Sequence, residues 1–220
     1  AALPNYVGSA LTLPMVDVSG SMSCPAGGHG SKSGLTCMQV AISLGLYLAD
    51  KNTGPFKDTF LTFSAQPQLL NLKGDVIQKY EQMKSSDWGM NTNVEAAFSR
   101  VLEVAKQLSV PQEEMPAYLL ILSDMQFDQA TRDYSARSGT ATAMDMIKAK
   151  YQEAGYTVPK IVFWNLNASG NVPVRFNESG TALVSGFSPS IMKAVLSGQN
   201  FTPEGIMLEA VMSDRYTVNA

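Results

Sequence analysis

Apolar positions along the chain alternate between short continuous runs and longer amphipathic stretches. Leu11 to Val16 is a short apolar run that stops at Asp17, the pattern of a strand buried on both faces in a parallel sheet. Pro14 interrupts it, because proline supplies no ladder donor, so regular pairing is expected to begin after Pro14. From Leu35 to Asp50 apolar residues cover most of a helical wheel, with Gln39, Ser43, Tyr47 and Asp50 as the one polar stripe. This pattern predicts a largely buried helix. After the breaker Asn52-Thr53-Gly54-Pro55, Thr59 to Ser64 and Gln68 to Leu72 read as two strands. The short Ala65-Gln66-Pro67 link between them permits only an antiparallel hairpin. Asp75 to Lys84 is predicted to be a short helix.

Asn93 to Leu108 is amphipathic, with Val94, Ala97, Phe98, Val101, Ala105 and Leu108 on one face and Glu95, Ser99, Glu103 and Lys106 on the other. Ala117 to Leu122 is the most apolar run and ends in Ser123-Asp124, a second carboxylate at the exit of a buried strand. A helix over Ala141 to Ala154, a strand over Lys160 to Leu166 and a short strand over Ala182 to Ser185 follow. Ser188-Pro189 and Thr202-Pro203 each place a capping residue before a proline, the start signal of two further helices, the last ending near Asp214. Strands alternating with helices, plus one early hairpin, predict an α/β fold: a doubly wound, mostly parallel sheet with one antiparallel edge strand and helices on both faces. A single domain over 1–220 is expected, with a small-residue loop insertion at 23–34 and a C-terminal helix around 203–214.

Composition narrows the partners. With 220 residues and 45% hydrophobic side chains the chain can bury a sizeable core. Lys plus Arg total 16 against 19 Asp plus Glu, a formal charge of -3, and no basic run of five or more residues occurs. Bulk electrostatics therefore argue against direct nucleic-acid binding by this segment. No apolar stretch approaches the ~20 residues of a membrane span, and the first residues lack the pattern of a signal peptide. A soluble protein without membrane contact is expected. The two cysteines, Cys24 and Cys37, are too few for a disulfide framework and point to a reducing, intracellular and cytoplasmic setting. Because the chain enters a strand so soon after Ala1, it reads as a processed product or as a domain of a larger chain or assembly.

In doubly wound sheets ligands bind outside the carboxyl ends of the strands, where the winding reverses. If the first and fourth strands are neighbours there, Asp17 and Asp124 face one crevice. With Ser19, Ser21 and Thr92 they make two carboxylates and three hydroxyls, a set suited to Mg²⁺, Mn²⁺ or Ca²⁺; the lack of thiolate or imidazole disfavours zinc or copper. Bland roles exist for each residue. Thr92-Asn93-Val94-Glu95 fits a capping box, and the serines suit a turn. Cys24, His29 and Cys37 offer three zinc ligands without a fourth, and free thiols are expected in preference to that site or to a disulfide. Gly27 to Ser33 superficially resembles a phosphate loop but lacks the immediate strand-to-helix setting. Trp88, Phe127 and Trp164 lie close to the strand mouths and would form a contact rim if exposed.

Asp17-Val18-Ser19-Gly20-Ser21, a threonine before a later helix and an aspartate after an apolar strand resemble the metal-ion-dependent adhesion site (MIDAS) of von Willebrand factor A domains. Ser-Gly-Ser-Met after Asp-Val resembles the form of this motif in intracellular members, including the A domain of the Ro ribonucleoprotein. Asp87 to Asn93, Ser123 to Asp128, Val162 to Asn165 and Val184 to Ser188 are similar to segments of the DUF2828 family. The resemblance spans roughly residues 14 to 198. It implies the A-domain fold and Asp17, Ser19, Ser21, Thr92 and Asp124 as metal ligands, and it implies no activity. The expectation is a divalent-cation-dependent interaction module that binds a partner protein's Asp or Glu. A metal-dependent hydrolase or phosphotransferase, and an assembly domain with a vestigial metal site, are the alternatives. An aspartyl phosphatase would need a carboxylate where Ser19 stands, so no enzyme is expected.

Overall fold

The computed structural model describes residues 11–28, 30–89, 93–124, 143–167 and 181–187. Six strands form one sheet: β1 (Thr12–Val16), β2 (Thr59–Thr62), β3 (Leu69–Asn71), β4 (Tyr118–Ser123), β5 (Lys160–Asn165) and β6 (Thr181–Ser185). Their order is β3-β2-β1-β4-β5-β6, with β2 and β3 antiparallel and every other neighbouring pair parallel. The expected α/β architecture is therefore observed, and the winding reverses between β1 and β4. That is where the sequence places its two carboxylates.

Helices cover both faces. On one side α1 (Cys37–Lys51) and α2 (Val76–Lys84) pack on alternate strand residues such as Val16, Leu120, Leu122 and Trp164. On the other, α3 (Val94–Gln107) and α4 (Ala143–Glu153) cover Met15, Leu61, Ile121 and Phe163. The period-two alternation of β4 thus feeds two cores at once, which is why its sequence is apolar throughout. The polar stripe of α1 emerges as read, with Gln39, Ser43 and Asp50 exposed. Its start is fixed by a capping box in which Thr36 Oγ1 accepts from Gln39 N–H and Gln39 Oε1 accepts from Thr36 N–H. The two helices expected beyond Ser188 lie outside the described residues.

Pro14 is accommodated inside a central strand, contrary to a simple reading of its chemistry. Asp17 N–H donates to Leu122 O on the β4 side, so alternation along a parallel ladder turns the amide positions of Thr12 and Pro14 towards β2. On that side register pairing begins only at Met15↔Leu61, whereas the β4 side pairs from Thr12 onwards. The missing donor therefore falls where no ladder bond is required. The side chain of buried Asn52 takes the place of the absent neighbour, accepting from Thr12 N–H at 3.1 Å and donating to Thr12 O at 2.9 Å.

The described residues of the 23–34 insert are mostly exposed, as a surface loop should be, but its base is fastened to the core. Ala26 is fully buried, Gly27 N–H donates to Leu166 O at 2.8 Å, and Ser33 Oγ donates to Ala26 O. An antiparallel bridge, Pro25↔Thr36, closes it against the start of α1.

Gly45 of α1 sets how closely that helix approaches β1. A Cβ there would lie 2.7 Å from Val16 Cγ2 and 3.0 Å from Met83 Sδ. Alanine gains about 1 kcal/mol of helix propensity, but forcing a methyl into a filled core costs about 1–3 kcal/mol. With a β-branched strand residue as the nearest neighbour, packing should win. Gly45→Ala is expected to lower the unfolding free energy by up to about 2 kcal/mol in urea titration; a gain in stability would show that propensity decides instead.

Candidate metal centre

Asp17 leaves β1 still in register with β4, and its side chain is completely buried. Both carboxylate oxygens are hydrogen-bonded: Ser19 N–H donates to Oδ1 at 2.9 Å and Ser123 Oγ to Oδ2 at 2.6 Å. The first bond spans two residues and bends the chain away from the strand, the local turn that Asp favours. A 3-10 turn over Gly20–Ser23 follows, tied by Met22 N–H to Ser19 O and anchored by the buried Met22 side chain. The turn aligns two hydroxyls with the second carboxylate. Ser19 Oγ and Ser21 Oγ lie 3.0 Å apart, and Ser21 Oγ donates to Asp124 Oδ1 at 3.0 Å. Asp17, Ser19, Ser21 and Asp124 are thus brought together as one hydrogen-bonded chain across the β1/β4 mouth. A Cβ on Gly20 would meet nothing within 4 Å, so the outer side of the turn is open.

Thr92 lies outside the described residues. Gly89 N–H donates to Phe63 O and Asn93 N–H to Ser64 O, so the flanks of 90–92 are both fastened to the exit of β2, beside β1. The capping duty that the sequence allows Thr92 is performed by Asn93, whose Oδ1 accepts from Ala96 N–H at 2.9 Å.

Burial is the main force on the Asp17 carboxyl and holds its pKa above the usual range; the Ser123 and Ser19 hydrogen bonds oppose this, and the neighbouring Asp124 charge adds to it. Among the described residues neither Asp17 nor Asp124 has a Lys or Arg partner. The described residues also contain no cluster of three or more His, Cys, Asp or Glu suited to a metal. A carboxylate or thiolate cage is therefore absent from them. The donor set instead fits a hard cation held by one or two carboxylates, hydroxyls and retained waters, the habit of Mg²⁺.

Three residues escaped the sequence reading. Ser123, the donor to buried Asp17, looks like a turn former in Ser123-Asp124. Asn165 and Ser185 stand level with it, in the register Ser123↔Asn165↔Ser185. Asn165 Oδ1 accepts from Asn167 N–H, while Asn165 Nδ2 and Ser185 Oγ are buried with no partner among the described residues. The available signal was that each apolar strand run stops on one polar residue at the same sheet edge. Of the rim aromatics, Trp88 is 52% exposed, whereas Trp164 is buried and donates to Gly186 O; Phe127 lies outside the described residues. Cys24 and Cys37 are free thiols, and His29 lies outside the described residues.

Ser123→Ala is expected to cost about 1–3 kcal/mol of stability in denaturant titration near neutral pH, because Asp17 Oδ2 is left buried without its donor. A loss no larger than that of an exposed serine would show that the carboxylate does not depend on this bond.

Comparison with known proteins gives the family of the chain and relatives of its fold. The family model described as a domain of unknown function (DUF7788) matches residues 12–217. Uncharacterized protein L728 of Acanthamoeba polyphaga mimivirus is 34% identical over 208 residues, covering 93% of this chain and 33% of that protein. In structure, the Ro (RSR) protein of Deinococcus radiodurans is similar with a TM-score of 0.53 and 18% identity, covering 90% of this chain and 36% of that one. The chain thus spans about a third of the length of each, and the structural likeness supports the von Willebrand factor A-like fold. These comparisons do not show the DUF2828 assignment that the sequence segments suggested.

Proposed function

The chain belongs to the DUF7788 family, and we propose that the mouth of β1 and β4 binds a divalent cation through which the domain docks a partner protein. Asp17, Ser19, Ser21 and Asp124 supply oxygens, and Thr92 is assigned as the fifth. The cation is Mg²⁺, with Mn²⁺ or Ca²⁺ as substitutes that accept the same donor type. The observation that carries this reading is the continuous chain from buried Asp17 through Ser19 and Ser21 to Asp124 at the sheet's switch point.

Two carboxylates balance a divalent charge, and hydroxyls add little, so the bound cation retains attraction for one more anion. A partner's Asp or Glu is the protein ligand of that chemistry. Asp17 keeps its own position through Ser123, which leaves Asp124, half-buried at the rim, as the more adaptable carboxylate. In this reading the site holds its ligand without transforming it, since Ser19 stands where an aspartyl nucleophile's partner acid would be needed. Exposed Trp88, close to the β2 exit, adds apolar contact area at the edge of the docking surface.

Calorimetric titration with Mg²⁺ and Mn²⁺ tests the reading. Wild-type protein is expected to bind one equivalent. Asp17→Ala and Asp124→Ala should each abolish binding, and Ser21→Ala should weaken it at least several-fold while circular dichroism stays native. Ser21 is exposed and outside the core, so its variant separates ligand loss from unfolding. Wild-type protein that binds neither cation at millimolar concentration, or an Asp124→Ala variant with wild-type affinity, would contradict the proposal.

A further inference from the structure

Beyond the oxygens of the cation site, the same turn brings together the two cysteines of the sequence. The bridge Pro25↔Thr36 is flanked by two backbone bonds, Ala26 N–H to Leu35 O and Cys37 N–H to Cys24 O, each 2.9 Å. Cys24 and Cys37 are therefore the residues just outside the bridge on its two sides, tied by the single Cys37 N–H to Cys24 O bond while Cys24 N–H turns back to Ser21 O. Their sulfurs are 3.4 Å apart and both are free thiols. Cys37 is fully buried in the first turn of α1, whereas Cys24 is half-buried and its Sγ–H also points to Asp124 Oδ2 at 3.7 Å.

We propose that Cys24 and Cys37 form a reversible dithiol–disulfide couple, closed by a two-electron oxidant of the peroxide class, and that closure frees Asp124 from the Cys24 thiol. The link to Asp124 as a metal ligand rests on the function proposed above; the disulfide itself does not. In the first step the Cys24 sulfur, having released its proton, attacks one peroxide oxygen. An S–O bond forms, the O–O bond breaks, and the departing oxygen leaves as water, giving a sulfenic acid. Cys37 then attacks the Cys24 sulfur, forming S–S, breaking S–O and releasing a second water. The pair loses two electrons and two protons, and one hydrogen peroxide becomes two waters. A thiol reductant reverses the change.

The order of events follows from access, since Cys24 is the sulfur an oxidant can reach and Cys37 the one placed to resolve it. In the reduced state Asp124 carries Ser21 on Oδ1 and Cys24 on Oδ2. In the oxidised state the second donor is gone and Oδ2 is available to a cation.

The test treats the full reduced chain with a small excess of hydrogen peroxide, then counts thiols in denaturant, maps peptides by mass spectrometry and titrates Mg²⁺ into both states. Expected are a fall from two thiols to none, a Cys24–Cys37 linked peptide that dithiothreitol reverses, no such peptide in Cys37→Ser, and Mg²⁺ affinity a few-fold tighter after oxidation. Persistence of both thiols, or equal peroxide-driven thiol loss per cysteine in wild type and Cys37→Ser, overturns the couple. A linked peptide with unchanged Mg²⁺ affinity overturns the coupling to Asp124. No Mg²⁺ binding in either state overturns the metal reading and the coupling with it, while the thiol count still decides the dithiol couple.

Discussion

A carboxylate buried at the end of a central strand is costly unless its oxygens are satisfied, and Asp17 is such a group. The penalty for stranding it is of the order of a few kcal/mol, comparable with a large share of a domain's net stability. Several features converge on meeting it. β1 stays paired with β4 one residue beyond its last strand position, which sets Ser123 Oγ against Asp17 Oδ2. The turn into Ser19 satisfies Oδ1, and buried Met22 holds that turn down. The carboxylate is thereby fixed before any ligand arrives. Such fixing is what a cation site needs, because its selectivity depends on donors that do not collapse on one another.

The position of β1 is secured from the opposite end by Asn52. Its side chain stands in for a missing strand neighbour at Thr12 and so allows a proline two residues later in the middle of the sheet. Gly45 lets α1 lie directly on Val16, one residue before Asp17. The mouth of β1 is therefore determined by contacts on three sides: the β4 ladder, the α1 helix and the Asn52 amide. The turn over Gly20–Ser23 and the bridge to Thr36 extend this framework to the two thiols, so oxygens and sulfurs meet at one carboxylate, Asp124.

Much of this was legible in the sequence because buried parallel strands are written as uninterrupted apolar runs and each run here stops abruptly on a polar residue. That marked the strand ends at Val16-Asp17 and Leu122-Ser123, and the pairing of β1 with β4 then brings Asp17 and Asp124 to one crevice. The hairpin followed from a link too short for any crossover. Other features were illegible for a physical reason: they depend on partners distant along the chain. Asn52 serves Thr12 from 40 residues away, and Ser123 serves Asp17 from 106 residues away. Composition indicated a surface loop over 23–34 but could not show that Ala26 and Gly27 fasten its base to the core. Asn93 as the cap of α3 was hidden by the equally good capping signature one residue earlier.

The most direct measurement is the anomalous difference density of crystals grown or soaked with millimolar Mn²⁺. A single peak is expected at the β1/β4 mouth, about 2.0–2.3 Å from oxygens of the Asp17, Ser19, Ser21 and Asp124 group or from waters they hold. An empty mouth in such crystals, or a peak only elsewhere on the surface, would contradict the account.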